Sequence, residues 1–313
     1  LNMNILSALK GKDFLKLADF STEEILALLE LAADMKAGKG PVKPLAGKTL
    51  GMIFQKSSTR TRVSFEVGML QLGGHPLFLS NNDLQLGRGE TIYDTAKVLS
   101  RYLDGIMIRA HGHEQVEELA EHADIPVING LTDSYHPCQM MADMLTIQEH
   151  KGKLKGLKIA YIGDGNNVAH SILIGSAKVG MDVAIASPVG YEPDADIVAQ
   201  AEGFANEQGS TVVITNDPVE AVKDADVIYT DVWASMGQEA EQDERVQKFT
   251  GFQVNEELCS HAKSDFIFLH CLPAHRGEEV SAEIIDGKHS VIFDEAENRM
   301  HAQKAILVAC MAD

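Results

Sequence analysis

An α/β protein of two domains, each a parallel β-sheet flanked by helices, is the fold class this sequence predicts. Three observations carry it. Short apolar runs alternate with amphipathic stretches along nearly the whole chain, the rhythm of parallel strands covered by helices on both faces. The polar stretch Lys151-Gly152-Lys153-Leu154-Lys155-Gly156 divides those runs into two groups. At 313 residues there is chain enough for two separate cores.

In the first group, strands are expected at 48–54, 76–80, 105–109 and 126–129. In the second they are expected at 157–162, 182–187, 211–215, 226–230, 266–270 and 290–293. Apolar residues at helical spacing predict helices near 22–36, 60–73, 91–102, 113–122, 138–150, 167–179, 194–208 and 216–223. A last helix, about 296–313, has no strand after it and is therefore free to pack back on the first domain. The expected domains are thus 1–150 and 151–313, with that helix returning.

Composition narrows the partners. The formal balance of −19 argues against nucleic acid or an anionic membrane surface. No run of eighteen or more apolar residues is present, and the N-terminus lacks a charged-then-apolar leader pattern. The four cysteines, Cys138, Cys259, Cys271 and Cys310, follow no disulfide framework, so free thiols in the cytoplasm are expected. Against this acidic background, Arg60, Arg62, Arg88, Arg101 and Arg109 are concentrated in the first 110 residues.

Five strand ends carry chemistry, and in open parallel sheets ligands bind beyond such ends. After the first strand, Ser57-Ser58-Thr59-Arg60-Thr61-Arg62 opens a helix. Its free N–H groups, hydroxyls and forked guanidinium groups suit a phosphate. It lacks the glycine loop and lysine of a nucleoside-triphosphate site, so a small phosphorylated substrate fits better. The other four are Arg109, His136-Pro137-Cys138-Gln139, Asp231 with Ser235-Met236-Gly237, and His270-Cys271-Leu272-Pro273. Ile162-Gly163-Asp164-Gly165 resembles the opening of a dinucleotide fingerprint. Val168 stands where its third glycine belongs, however, and the next strand ends without an acidic residue, so it reads as a tight turn. His270, Cys271 and His275 match no common structural zinc spacing, so neither a metal nor any other cofactor is expected.

On these segments the chain resembles the ornithine carbamoyltransferases of the aspartate/ornithine carbamoyltransferase superfamily over essentially its full length. Ser58-Thr59-Arg60-Thr61 and His136-Pro137-Cys138-Gln139 match the motifs shared by carbamoyltransferases. The Asp231–Gly237 and His270–Pro273 segments match the narrower ornithine signatures. The resemblance implies transfer of a carbamoyl group from carbamoyl phosphate to the δ-amine of L-ornithine, in arginine biosynthesis. It also implies a homotrimer, or a multiple of trimers, that closes its domains over the substrates. Carbamoyl phosphate would be held by Ser58, Thr59, Arg60 and Thr61, then by Arg109 and by His136, Pro137, Cys138 and Gln139. Gln85 would serve a neighbouring subunit's site. Ornithine would meet Asn167, assigned by register over its neighbour Asn166, together with Asp231, Ser235 and Met236. Cys271, Leu272 and Arg299 would complete that pocket. Arg60, Arg109, His136, Asp231 and Cys271 are the expected catalytic groups. The alternatives are a carbamoyltransferase for putrescine or an acylated ornithine, and a catalytically silent binding relative.

Overall fold

The computed structural model describes residues 3–81, 89–235 and 237–313. The chain forms two compact units, one of residues 1–145 with 298–313 and the other of residues 146–297.

In the first unit, β1 (Thr49–Phe54), β2 (His75–Ser80), β3 (Gly105–Arg109) and β4 (Val127–Leu131) form a parallel sheet in the order β2-β1-β3-β4. Its helices are α1 (Met3–Ser7), α2 (Thr22–Lys36), α3 (Thr59–Gln71), α4 (Ile92–Tyr102) and α5 (His113–His122), with the start of α6 (Pro137–Lys151). Helix starts follow local chemistry. Ser21 and Glu24 make a reciprocal capping box at α2, and Thr91 caps α4 through Asp94 N–H. Every residue of β3 and β4 is buried, as expected of parallel strands whose two faces are both covered. Ile53, Ile106, Ile108, Val116 and Val127 meet in the core on one face.

The second unit holds β5 (Lys158–Ile162), β6 (Asp182–Ala186), β7 (Val212–Thr215), β8 (Val227–Thr230) and β9 (Ile267–His270), all parallel in the order β7-β6-β5-β8-β9. Its helices are α7 (Asn167–Val179), α8 (Ala195–Gln208), α9 (Pro218–Val222), α10 (Gln242–Lys248), α11 (Glu256–Cys259) and α12 (Ala282–Ile285). Here Ile162, Ala184, Ile228, Phe268 and Ile285 share a core. The final helix α13 (Ile292–Met311) gives its residues from Asn298 onward to the first unit, as its lack of a following strand implied. Lys304 Nζ donates to Gln71 Oε1 (2.8 Å), and Gly11 N–H donates to the Cys310 carbonyl (2.9 Å).

Both sheets reverse strand order at one place, between β1 and β3 in the first unit and between β5 and β8 in the second. Such switch points leave a crevice beyond the carboxyl ends of the two strands. The loops that follow β1, β3, β5 and β8 carry four of the segments singled out in the sequence.

One expected strand is absent. Residues 290–293 do not form a strand: Ser290 makes a lone bridge to Phe268, and α13 begins at Ile292. Two backbone bonds link residues 289–291 to β9, Phe268 N–H to the His289 carbonyl and Val291 N–H to the Phe268 carbonyl. Asp294 and Glu295 then sit in the first turn of α13, where the helix dipole favours acids. The apolar run Val291-Ile292-Phe293 therefore splits, with Ile292 buried and Phe293 exposed.

The Gly163–Gly165 turn is tight for steric reasons. Gly163 has φ +147°, and a Cβ on Gly165 would lie 2.2 Å from the Pro193 backbone nitrogen. Because that neighbour is main chain, it cannot swing aside. Replacement of Gly165 by Ala should destabilise the protein by roughly 1–3 kcal/mol, read as a lowered urea midpoint, and an unchanged midpoint would contradict the packing assigned to this turn.

Candidate active site

The first unit gathers the phosphate-seeking groups. Ser58 caps α3, its Oγ accepting from Thr61 N–H (3.3 Å) and donating to Thr61 Oγ1 (3.1 Å). The cap leaves Thr59 and Arg60 exposed at the helix start. Arg62 turns away from that start: its Nε donates to Glu66 (2.8 Å) and its guanidinium lies 3.7 Å over the Phe78 ring. Arg109 ends β3, in register with Phe54 of β1, and is buried despite its charge.

Arg299, expected to complete the ornithine pocket, lies in the first unit. Helix α13 delivers it to Thr61, whose Oγ1 accepts from Nη2 at 2.8 Å. The same guanidinium acts on the His136–Gln139 segment. His136 is buried, and desolvation, then Arg299, then Arg109, hold its imidazole well below the usual 6.5. It is therefore neutral at pH 7. Pro137 begins α6, where a missing N–H costs nothing. Burial pushes the Cys138 thiol up to about 12, with Arg299 opposing, and its Sγ donates to the Asn129 carbonyl (3.5 Å). Gln139 Nε2 donates to Asp143 (2.9 Å), one turn along the helix. Gln85 lies outside the described residues.

The second unit gathers a carboxylate, an amide, a hydroxyl and a thiol beyond β5, β8 and β9. Asp231 follows β8 and is buried. Its Oδ2 accepts from Asn166 Nδ2 (2.9 Å). Its Oδ1 accepts from Val232 N–H (2.8 Å) and from Cys271 Sγ (3.2 Å). Asn166 also reaches Ser235 Oγ (3.4 Å), while its Oδ1 caps α7 through Ala169 N–H and accepts from Tyr161 Oη (3.3 Å). Burial, with Asp231 and Asp164 next, raises the Tyr161 phenol well above 10, so it stays a donor. Of the two adjacent asparagines, Asn166 is thus the one that meets Asp231. Asn167 Oδ1 accepts from Val168 N–H (2.9 Å). Met236 lies outside the described residues.

The His270–Pro273 turn is fixed from behind. His270 Nδ1 accepts from Leu272 N–H (2.8 Å), which holds Leu272 at φ +61°. The ring proton is therefore on Nε2, facing Glu279 Oε2 at 2.8 Å. Both nitrogens of this imidazole are thus engaged within the turn's own support. Two groups gave no sequence signal at all. Arg245 of α10 pairs with Asp164 (3.1 Å) and donates to the Trp233 carbonyl (2.7 Å), anchoring the segment after β8. Glu279 lies in no regular element and binds the His270 ring and the His275 N–H through Oε2.

Two family models match, described as the aspartate/ornithine carbamoyltransferase carbamoyl-P binding domain over residues 12–149 and the Asp/Orn binding domain over residues 155–310. The chain belongs to the aspartate/ornithine carbamoyltransferase family. It is 64% identical over 314 residues to an ornithine carbamoyltransferase of Anoxybacillus flavithermus, covering 99% of this chain and 100% of that one. An anabolic ornithine carbamoyltransferase of Pyrococcus furiosus is 59% identical over 97% of this chain and 98% of its own. The solved structure of ornithine carbamoyltransferase from Pyrococcus furiosus superimposes with TM-score 0.93, covering 97% of this chain and 98% of that chain at 59% identity. The anabolic enzyme of Campylobacter jejuni gives 0.90 at 46% identity, over 95% and 97%.

His136 supplies a pH test. Its folded pKa is depressed, so below 6.5 the unfolded chain binds more protons than the folded one. Folding is penalised as pH falls through that value, and the penalty is absent above it. His136→Gln should flatten the stability–pH curve below 6.5, and in the parent protein the His136 ring resonances should stay those of a neutral imidazole there. A ring that titrates at 6.5 would overturn the burial argument.

Proposed function

We propose that the protein transfers the carbamoyl group of carbamoyl phosphate to the δ-amine of L-ornithine, giving L-citrulline and phosphate, in arginine biosynthesis. The single observation that carries this reading is the buried Asp231 with Cys271 Sγ at 3.2 Å and Asn166 at 2.9 Å, in a chain 64% identical to a named ornithine carbamoyltransferase. A carboxylate at that place is useful for an acceptor with a free α-amino group, which disfavours putrescine and α-acylated ornithine.

The chemistry divides between the two sets of residues. The N–H groups at the start of α3, with Ser58, Thr59, Arg60 and Thr61, neutralise the leaving phosphate. Arg109 and Arg299 add fixed charge beside it. Neutral His136 donates or accepts without adding charge of its own, and with Thr61 and Arg109 it faces the carbonyl oxygen, where negative charge grows as the tetrahedral intermediate forms. The amine presents the harder problem. With an ordinary pKa of about 10.4, roughly one alkylamine in a thousand is neutral near neutrality, a cost of about 4 kcal/mol. Asp231 takes the α-amino group, and Cys271, hydrogen-bonded to it, contacts the δ-amine and passes its proton toward the carboxylate. Collapse of the intermediate expels phosphate, with no covalent enzyme adduct. Gln139, Pro137 and Cys138 shape the carbamoyl side, and Asn167, Ser235, Met236 and Leu272 the ornithine side.

The protein acts in the cytoplasm as a homotrimer, in which Gln85 serves a neighbouring subunit. Support comes from large apolar residues left exposed on the first unit, Val63, Leu70, Leu77, Tyr93, Val98 and Tyr102. Sedimentation equilibrium should return three chain masses, or a multiple of them, and a monomer would refute this assembly.

Purified protein should form citrulline from ornithine and carbamoyl phosphate, with far slower turnover of putrescine or N-acetylornithine. Absence of phosphate release with ornithine would leave a binding relative as the reading. Arg60→Gly should cut kcat on the order of a thousandfold, and a loss under about tenfold would move the phosphate elsewhere. Cys271→Ser should lower kcat and reshape its pH profile while carbamoyl phosphate affinity holds; an unaltered profile would reduce Cys271 to packing.

A further inference from the structure

Behind the His270–Pro273 turn lies a second cluster that the proposed reaction does not use. His275 Nδ1 is 3.5 Å from Glu278 Oε2 and 3.9 Å from Glu279 Oε1, and the three ligand atoms all lie within 4.8 Å of one another. The geometry points to a divalent transition-metal site, of the zinc class, formed by His275 Nδ1, Glu278 Oε2 and Glu279 Oε1.

Two independent observations converge on it. The first is spacing. Zinc binds imidazole nitrogen and carboxylate oxygen at about 2.0–2.2 Å, which puts neighbouring ligand atoms of a tetrahedron roughly 3.4 Å apart. From His275 Nδ1, separations of 3.5 and 3.9 Å need movements of only a few tenths of an ångström; the carboxylate–carboxylate edge, within 4.8 Å, needs more, and the partly exposed Glu278 is able to make it. The second is the state of Glu279. Its side chain is fully buried, and Oε2 takes both available donors, His270 Nε2 (2.8 Å) and His275 N–H (2.9 Å). Oε1 is equally buried and accepts no hydrogen bond among the described residues. A buried carboxylate oxygen left without a donor is costly, and this one is aimed at the His275 ring. A cation there would satisfy it.

The surroundings permit an ion. Arg276, the nearest cationic side chain in sequence, is turned away into a two-pronged pair with Asp286 (2.8 and 2.7 Å). Glu278 Oε2 also accepts from Gln242 Nε2 (2.7 Å), which occupies one lone pair and orients the carboxylate. One imidazole with two carboxylates selects zinc, cobalt or nickel over magnesium, and the exposed side leaves room for a water as fourth ligand. The neighbouring trio Asp231, His270 and Cys271 is a poorer chelator, because both His270 nitrogens are already engaged.

The test is a Co²⁺ titration of the untagged, chelator-treated full-length protein, followed by visible and near-ultraviolet absorption. One Co²⁺ per chain should bind, with ligand-field bands of nitrogen and oxygen coordination and no thiolate-to-cobalt charge-transfer band. His275→Ala should weaken binding about tenfold or more, Glu278→Gln should weaken it measurably, and Cys271→Ala should leave the spectrum intact. Both His275 and Glu278 lie at the surface, so circular dichroism should report an intact fold in these variants. A thiolate band lost in Cys271→Ala would assign the metal to the active-site thiol and overturn the proposal. So would bands that survive His275→Ala, or no binding at micromolar metal.

Discussion

The constraint on which the second unit depends is the buried carboxylate of Asp231. A charge taken out of water must be met by donors placed in advance, and here they come from three separate strand ends. Asn166 approaches from the loop after β5, Val232 N–H from the segment just after β8, and Cys271 from the end of β9. The parallel sheet makes this possible, because it brings all three carboxyl ends to one edge, and its order places β5 beside β8 and β8 beside β9. Satisfying Asp231 therefore fixes the mutual positions of three loops. The loops are in turn held from outside, by Arg245 on Trp233 and by Glu279 on His270. Loss of either would release a loop without touching a reacting group.

The first unit solves the opposite problem, burying positive charge in a chain of net −19. Arg109 and Arg299 are both nearly inaccessible; their joint field reaches His136, and that of Arg299 is also felt at Cys138. A third buried cation in the same place would raise repulsion further, and keeping the imidazole neutral avoids it. The depressed pKa of His136 thus follows from the guanidinium groups around it as well as from desolvation. That is the electrostatic arrangement an anionic substrate requires, since the substrate itself supplies the missing negative charge.

Much of this was legible in sequence, for reasons that are themselves local. Ser58–Arg62, Arg109, Asp231 and His270–Pro273 each sit at or just beyond the end of an apolar strand, and the first polar residues after a continuous apolar run announce its end. The near-continuous burial of β3, β4 and β8 is written as runs of apolar residues. What local reading could not supply depends on distance along the chain. Arg299 was named only through the resemblance, because its contact with Thr61 spans 238 residues. Arg245 sits on a short, highly charged helix that carries no apolar stripe, and Glu279 in a loop. Of Asn166 and Asn167, the residue that caps α7, Asn166, is the one whose amide also meets Asp231, a contact that sequence register does not reveal. The false strand at 290–293 failed because an apolar run as short as Val291-Ile292-Phe293 cannot be told from the first turn of a buried helix by periodicity alone.

The two units then differ in what they must do about protons. Carbamoyl phosphate arrives charged as needed, and fixed cations suffice. Ornithine arrives with its δ-nitrogen protonated, and a carboxylate near that nitrogen would stabilise the wrong form. In the proposed reaction Cys271 stands between Asp231 and the amine, which would resolve the conflict. The thiol is a weak donor and a polarisable acceptor, and it keeps the carboxylate one group removed from the nucleophile while leaving a route for the proton. Asp231 is free to attract the α-ammonium group, where charge helps binding. A single carboxylate can thus serve recognition directly and deprotonation indirectly, and the 3.2 Å contact between its oxygen and the thiol is where those two duties are separated.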